Sequence, residues 1–124
     1  MRVLVVDDMP ETRARLAALI GGVPGVREVG QAADGIETMA DVVANSPDVV
    51  VLDLQMPRMN GFRTMDALHA CADKPATIVV SNHTEYRDHA LRAGAALFFD
   101  KATQLDALVS AIAGMAAAHA AADK

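Results

Sequence analysis

The sequence predicts an α/β fold, a parallel sheet covered by helices on both faces. Three observations carry this. Residues 49–54 form a continuous apolar run rich in valine, which reads as a strand buried on both sides. Four other short apolar or alternating runs recur along the chain, each followed by a segment of helical period, and such alternation calls for right-handed crossovers between parallel strands. Polar residues then stand just past four of the five runs, at the edge where open α/β sheets bind their ligands.

The first strand, residues 3–6, ends on the acid pair Asp7-Asp8. Pro10 and Glu11 suit a helix start, where a missing N–H costs nothing and an acid meets the positive end of the helix dipole. Leu16, Leu19 and Ile20 give this helix a buried stripe, and Gly21-Gly22 stops it. After the turn at Pro24-Gly25, residues 26–32 alternate as an edge strand does. Asp34-Gly35 turns the chain into a second helix, whose stripe is Ile36, Met39, Ala40 and Val43. Asn45-Ser46-Pro47 ends it, because the residue before a proline disfavours the α conformation.

The central strand, 49–54, carries Asp53 and leads through residues 55–61 into a third helix with Phe62, Met65 and Leu68 on one side. Asp73-Lys74-Pro75 breaks that helix. Residues 76–80 are a fourth strand ending on Ser81. Residues 84–93 form a helix with a thin apolar face of Ala90, Leu91 and Tyr86, and Gly94 suits its C′ cap. Leu97, Phe98 and Phe99 make a fifth strand before Asp100 and Lys101. The two phenylalanines alternate across the strand, so one of them is plain core. The last helix carries Leu105, Leu108, Val109, Ile112 and Met115, then runs into the alanine-rich residues 116–122.

Composition bounds the function. The 124 residues suit one domain spanning 1–124, and 52% apolar content supports a sizeable core. With no Trp, one Tyr and three Phe, that core is aliphatic. A formal net charge of -5 argues against binding nucleic acid or anionic membranes, which recruit Lys and Arg. The single Cys71 forms no internal disulfide, and the four histidines share no ligand spacing. The N-terminal apolar run is too short for a signal peptide. No window reads as long and apolar enough to span a bilayer, since Ser110, Gly114 and His119 interrupt the alanine-rich stretch. The expected location is the cytoplasm.

Asp7, Asp8, Asp53, Ser81 and Lys101 converge on one crevice if all these strands are parallel. Crowded carboxylates repel and resist ionising unless a cation joins them. A hard divalent ion such as Mg²⁺ suits oxygen ligands and a substrate phosphate. A phosphoryl group would give Lys101 a partner, and Ser81 could donate to a second phosphoryl oxygen. Carboxylates are known phosphoryl acceptors, so the residues point to Mg²⁺-assisted phosphoryl transfer onto an Asp.

These residues, Asp7-Asp8, Asp53-Leu54-Gln55-Met56-Pro57 with Met59-Asn60-Gly61, Ser81 and Lys101, resemble the response-regulator receiver domains of two-component signalling. The resemblance covers essentially the whole chain. It implies a flavodoxin-like three-layer sandwich, a five-stranded parallel sheet in the order 2-1-3-4-5. By resemblance Asp53 is the phosphoacceptor and Asp8 a direct ligand of Mg²⁺ or Mn²⁺. Asp7 holds the metal through water, and the Gln55 carbonyl is a further ligand. Ser81 is the hydroxyl that moves toward the phosphoryl group, Lys101 the phosphate-pairing lysine, and Phe98 the aromatic switch. Gln55, Asn82 and His83 occupy rate-tuning positions. The implied partners are a sensor histidine kinase or histidine phosphotransfer protein, and a downstream target. The implied output face comprises the fourth helix, fifth strand and fifth helix, which is also a possible homodimer surface.

Two positions depart from the family pattern. Ala102 follows Lys101 where a cis proline is usual, and a trans bond is expected because a cis bond before Ala costs about 2.5–4 kcal/mol. Asn82 is bulkier than the usual residue after Ser81, which narrows access to Asp53. Asp100 reads more naturally as a solvated surface charge than as a functional group. A protein-binding pseudo-receiver that is never phosphorylated is the alternative function, and the complete residue set speaks against it. A phosphatase with an Asp nucleophile would carry a second Asp at position 55, where this chain has Gln. The expectation is a switch that catalyses only its own phosphorylation and slow dephosphorylation.

Overall fold

A computed structural model of the protein describes residues 1–54 and 61–122. Five strands form one parallel sheet: β1 (Arg2–Val6), β2 (Glu28–Ala32), β3 (Val49–Asp53), β4 (Ala76–Ser81) and β5 (Leu97–Asp100). Their order is β2-β1-β3-β4-β5, as the resemblance implied. Five α-helices connect and follow them: α1 (Pro10–Gly21), α2 (Gly35–Asn45), α3 (Gly61–His69), α4 (Arg87–Arg92) and α5 (Leu105–Ala122).

Alternation along each central strand divides the core in two. Leu4, Val6, Val50, Leu52 and Val79 face one side and pack with Val42, Met65, Leu68, Ala90 and Phe98. Val3, Val5, Val51, Ile78 and Val80 face the other and pack with Leu16, Ile20, Leu108 and Ile112. The valine runs are therefore continuous because both faces are covered. Phe98 and Phe99 fall on opposite sides, Phe98 buried and Phe99 partly buried.

Several elements differ from expectation. In α2 the buried side chains are Thr38 and Val42, whereas Ile36 and Val43 are 58% and 83% exposed. Thr38 tolerates burial because its hydroxyl donates to the Asp34 carbonyl at 2.7 Å. Leu19 of α1 is likewise exposed beside buried Leu16 and Ile20. β2 begins at Glu28, because Val26 is still in a turn, its N–H donating to the Val23 carbonyl. The fourth helix is split into a 3₁₀ turn over Thr84–Tyr86 and six α-helical residues, of which only Ala90 is buried. Gly94 follows with φ of +113°, the left-handed conformation a helix terminator needs. α5 is long and apolar enough to cross a membrane by length and composition, contrary to expectation, with mean hydropathy 1.5 over 18 residues. Alanine raises that average despite the interruptions, and the helix packs Leu108, Ile112 and Ala116 against the sheet.

Candidate functional site

Register brings the acids together. Val6 pairs with Leu52, so the next residues, Asp7 and Asp53, emerge level with each other on neighbouring strands about 4.8 Å apart. Asp53 itself pairs with Val80, which places Ser81 one residue beyond it. Ser81 in turn pairs with Asp100, and Lys101 follows. Carboxylate oxygens of Asp7, Asp8 and Asp53 all lie within 4.8 Å of one another. Asp7 is fully buried, Asp53 half-buried and Asp8 exposed.

Lys101 crosses from the far strand to close the cluster. Its Nζ donates to Asp7 Oδ2 at 2.6 Å and to Asp53 Oδ2 at 3.0 Å. Burial opposes charge on this ammonium, but the hydrogen bonds and Coulomb attraction of Asp7 and Asp53 outweigh it, and its pKa is raised above the ordinary value. Asp7 Oδ1 accepts the Met9 N–H at 2.9 Å, so both Asp7 oxygens are engaged. Ser81 is buried, and its Oγ accepts the His83 N–H at 3.0 Å, which leaves its own proton to donate. A cavity of about 180 Å³ is lined by Asp8, Met9, Asp53, Asn82, His83 and Lys101.

The oxygen-only donor set fits a hard divalent cation. Asp8, the most exposed of the three, is open to an ion and its waters. Asp7, held by Lys101 and the Met9 amide, suits contact through water.

Most sequence-predicted site residues meet here. Asp7, Asp8, Asp53 and Lys101 form the cluster, while Asn82 and His83 line the cavity above it. Gln55 lies outside the described residues. Phe98 is buried one strand away with the Arg87 guanidinium carbon 5.9 Å from its ring centroid. No cis peptide occurs among the described residues, so the Lys101–Ala102 bond is trans as expected. Asp100 is not simply solvated: its Oδ1 accepts the Ala102 N–H at 2.8 Å. Sequence reasoning also missed Arg13, whose Nη1 donates to the Asp7 carbonyl at 3.0 Å. An arginine on an amphipathic helix gives no sign that it reaches back to a strand end.

The response regulator receiver domain family matches residues 3–113. The chain belongs to that family. A protein-glutamate methylesterase/protein-glutamine glutaminase from Myxococcus xanthus is 39% identical over 108 residues, 85% of this chain and 31% of that protein. The chain spans less than a third of the length of such curated relatives. Among solved structures, the response regulator domain of Thermotoga maritima CheB is 30% identical with a TM-score of 0.80, covering 94% of this chain and 92% of that one. Response regulator TrrA of the same organism, solved in complex with Mg²⁺-BeF, is 25% identical with a TM-score of 0.79, covering 90% and 95%.

Proposed function

We propose that residues 1–124 form one phosphoacceptor receiver, in which Asp53 takes a phosphoryl group from a phosphohistidine. The observation that carries this reading is the Lys101 ammonium bridging Asp7 and Asp53 beside Asp8. An Asp53 oxygen attacks phosphorus and the P–N bond breaks. The imidazole nitrogen leaves with the bonding pair and is reprotonated, and the product is an acyl phosphate on Asp53. Asp8 and Asp53 would hold Mg²⁺ or Mn²⁺ directly, Asp7 through water, with the Gln55 carbonyl as a further ligand. The ion would neutralise developing charge on the phosphoryl oxygens.

Lys101 then exchanges its carboxylate partner on Asp53 for a phosphoryl oxygen, and the Ser81 hydroxyl donates to another. Movement of Ser81 draws on the loop through His83, whose N–H it holds, and so on the 3₁₀ turn and α4. Phe98 would follow on β5. Asn82, His83 and Gln55 set access of donor and water. The output face is α4, β5 and α5, where Tyr86, Leu91 and Leu97 are exposed. A sensor kinase or phosphotransfer protein supplies the phosphoryl group. The relatives support a methylesterase-type effector as the target, and we assign the protein a cytoplasmic setting.

Intact-mass spectrometry with an acyl-phosphate donor tests the reading. One phosphoryl group should be gained only with Mg²⁺ present, and the gain should vanish in Asp53→Asn. No gain in the native chain, or a gain that survives the substitution, removes Asp53 from the mechanism and leaves a pseudo-receiver that works by binding alone.

A further inference from the structure

Lys101 reaches its carboxylates from the four-residue connection between β5 and α5, and side chains at its two ends hold that connection. The Lys101 N–H donates to the Ser81 carbonyl at 3.0 Å, which ties the lysine's backbone to β4. Immediately after it, the Ala102 N–H donates to Asp100 Oδ1 at 2.8 Å. The Asp100 N–H donates to Gln104 Oε1 at 2.8 Å, and the Gln104 N–H returns to the Asp100 carbonyl at 2.8 Å. Gln104 also starts α5, its carbonyl accepting the Leu108 N–H at 3.0 Å. The residues on either side of Lys101 are thus clamped to each other and to the first turn of a buried helix. The lysine side chain itself is long and carries large rotamer freedom. Its ammonium can bridge two acids only if the backbone it hangs from is fixed.

We propose that Asp100 and Gln104 are positioning residues for Lys101. They fix its backbone so that Nζ stands over Asp7 and Asp53, and they set the rate at which Asp53 is phosphorylated. The inference rests on reading Lys101 as the phosphoryl-pairing cation. Neither residue is among those that line the cavity at the acids, so the effect of each is assigned to the placing of Lys101. What the clamp needs from Asp100 is an acceptor oxygen, not a charge, and an amide in its place supplies that oxygen.

The test is a double-mutant cycle on the full chain, with the phosphorylation rate read by intact mass in Mg²⁺ and an acyl-phosphate donor. Misplacing a reacting group by about 1 Å can cost roughly 100-fold, and a loosened clamp should cost about tenfold. Asp100→Ala should slow the reaction by about that factor, and Asp100→Asn should restore it to within about twofold. Added to Lys101→Ala, the Asp100→Ala change should cost nothing further, because residues acting through one group are not additive. Gln104→Ala should repeat the pattern if Asp100→Ala does not fold. A native rate in both alanine variants, failure of Asp100→Asn to rescue, or the same slowing with Lys101 absent would overturn the proposal. If Lys101→Ala alone reacts at the native rate, the reading of Lys101 fails first, a result separate from any failure of the clamp.

Discussion

Lys101 stands among three carboxylates, and without a metal it is the cation at 2.6 and 3.0 Å from two of them. Removing it leaves a buried acid at Asp7 short of a partner, which costs more than an exposed ion pair would. With the lysine side chain partly screened by solvent, Lys101→Met should destabilise the metal-free protein by about 1–3 kcal/mol at neutral pH. The sign of the pH dependence follows from the raised pKa. The stabilisation is complete below the unfolded lysine value of 10.5, and it is lost as pH rises through the higher folded value. Urea midpoints of the two proteins should therefore stay a constant distance apart from pH 7 to pH 9 and converge above about pH 10.5. A gap that already closes between pH 7 and pH 9 would show that another group provides the stabilisation. The acids, the lysine and the serine were legible in sequence because each sits at or just past the end of a strand. Arg13 and the clamp at Asp100 and Gln104 were not, since their roles depend on which backbone atoms a polar side chain meets.

At the scale of elements, patterns of apolar residues located every strand and helix but not every face. α2 offers two overlapping stripes, and the sequence favours the more apolar one, Ile36 to Val43. The fold buries Thr38 and Val42 because a threonine that bonds back to Asp34 no longer counts as polar. The same helix starts with a reciprocal cap: Asp34 Oδ1 accepts the Glu37 N–H while Glu37 Oε1 accepts the Ala33 N–H, both at 2.9 Å. That pair is legible in the sequence as Asp-x-x-Glu. Gly61, part of the Met59-Asn60-Gly61 motif, is fixed by contact. A Cβ there would collide with the Leu54 backbone at its Cα, and the Gly61 N–H donates to the Leu54 carbonyl at 2.9 Å. Gly61→Ala must push α3 away from the residue next to Asp53. The expected result is a loss of about 1–3 kcal/mol in urea unfolding together with slower phosphorylation. An unchanged midpoint would mean that the contact relaxes freely.

Across the whole molecule, anchoring is uneven in a way that suits a switch. α1 and α5 each bury two or three side chains against one face of the sheet, and α3 buries four residues on the other. α4 is six residues long and buries only Ala90. Beyond that it makes surface contacts: His89 stacks on Phe62 at 4.1 Å between centroids, and the Arg87 guanidinium carbon lies 5.9 Å from the Phe98 ring centroid, while Tyr86 of the preceding turn meets Phe62 edge-on at 6.1 Å. The preceding 3₁₀ turn runs directly from the loop whose His83 N–H holds Ser81. An element with few buried apolar contacts opens at low free energy, and it is the one that a small change at its end can move. Native-state hydrogen exchange should therefore find the amides of α4 exchanging well before those of α1, α5 and the central strands. Phosphorylation of Asp53 should change protection in α4 and β5 more than in α1 or α2, because Ser81 leads to α4 and Lys101 follows β5. Uniform protection across the helices, or a response to phosphorylation confined to α1 and α2, would place the output on a different face of the sheet.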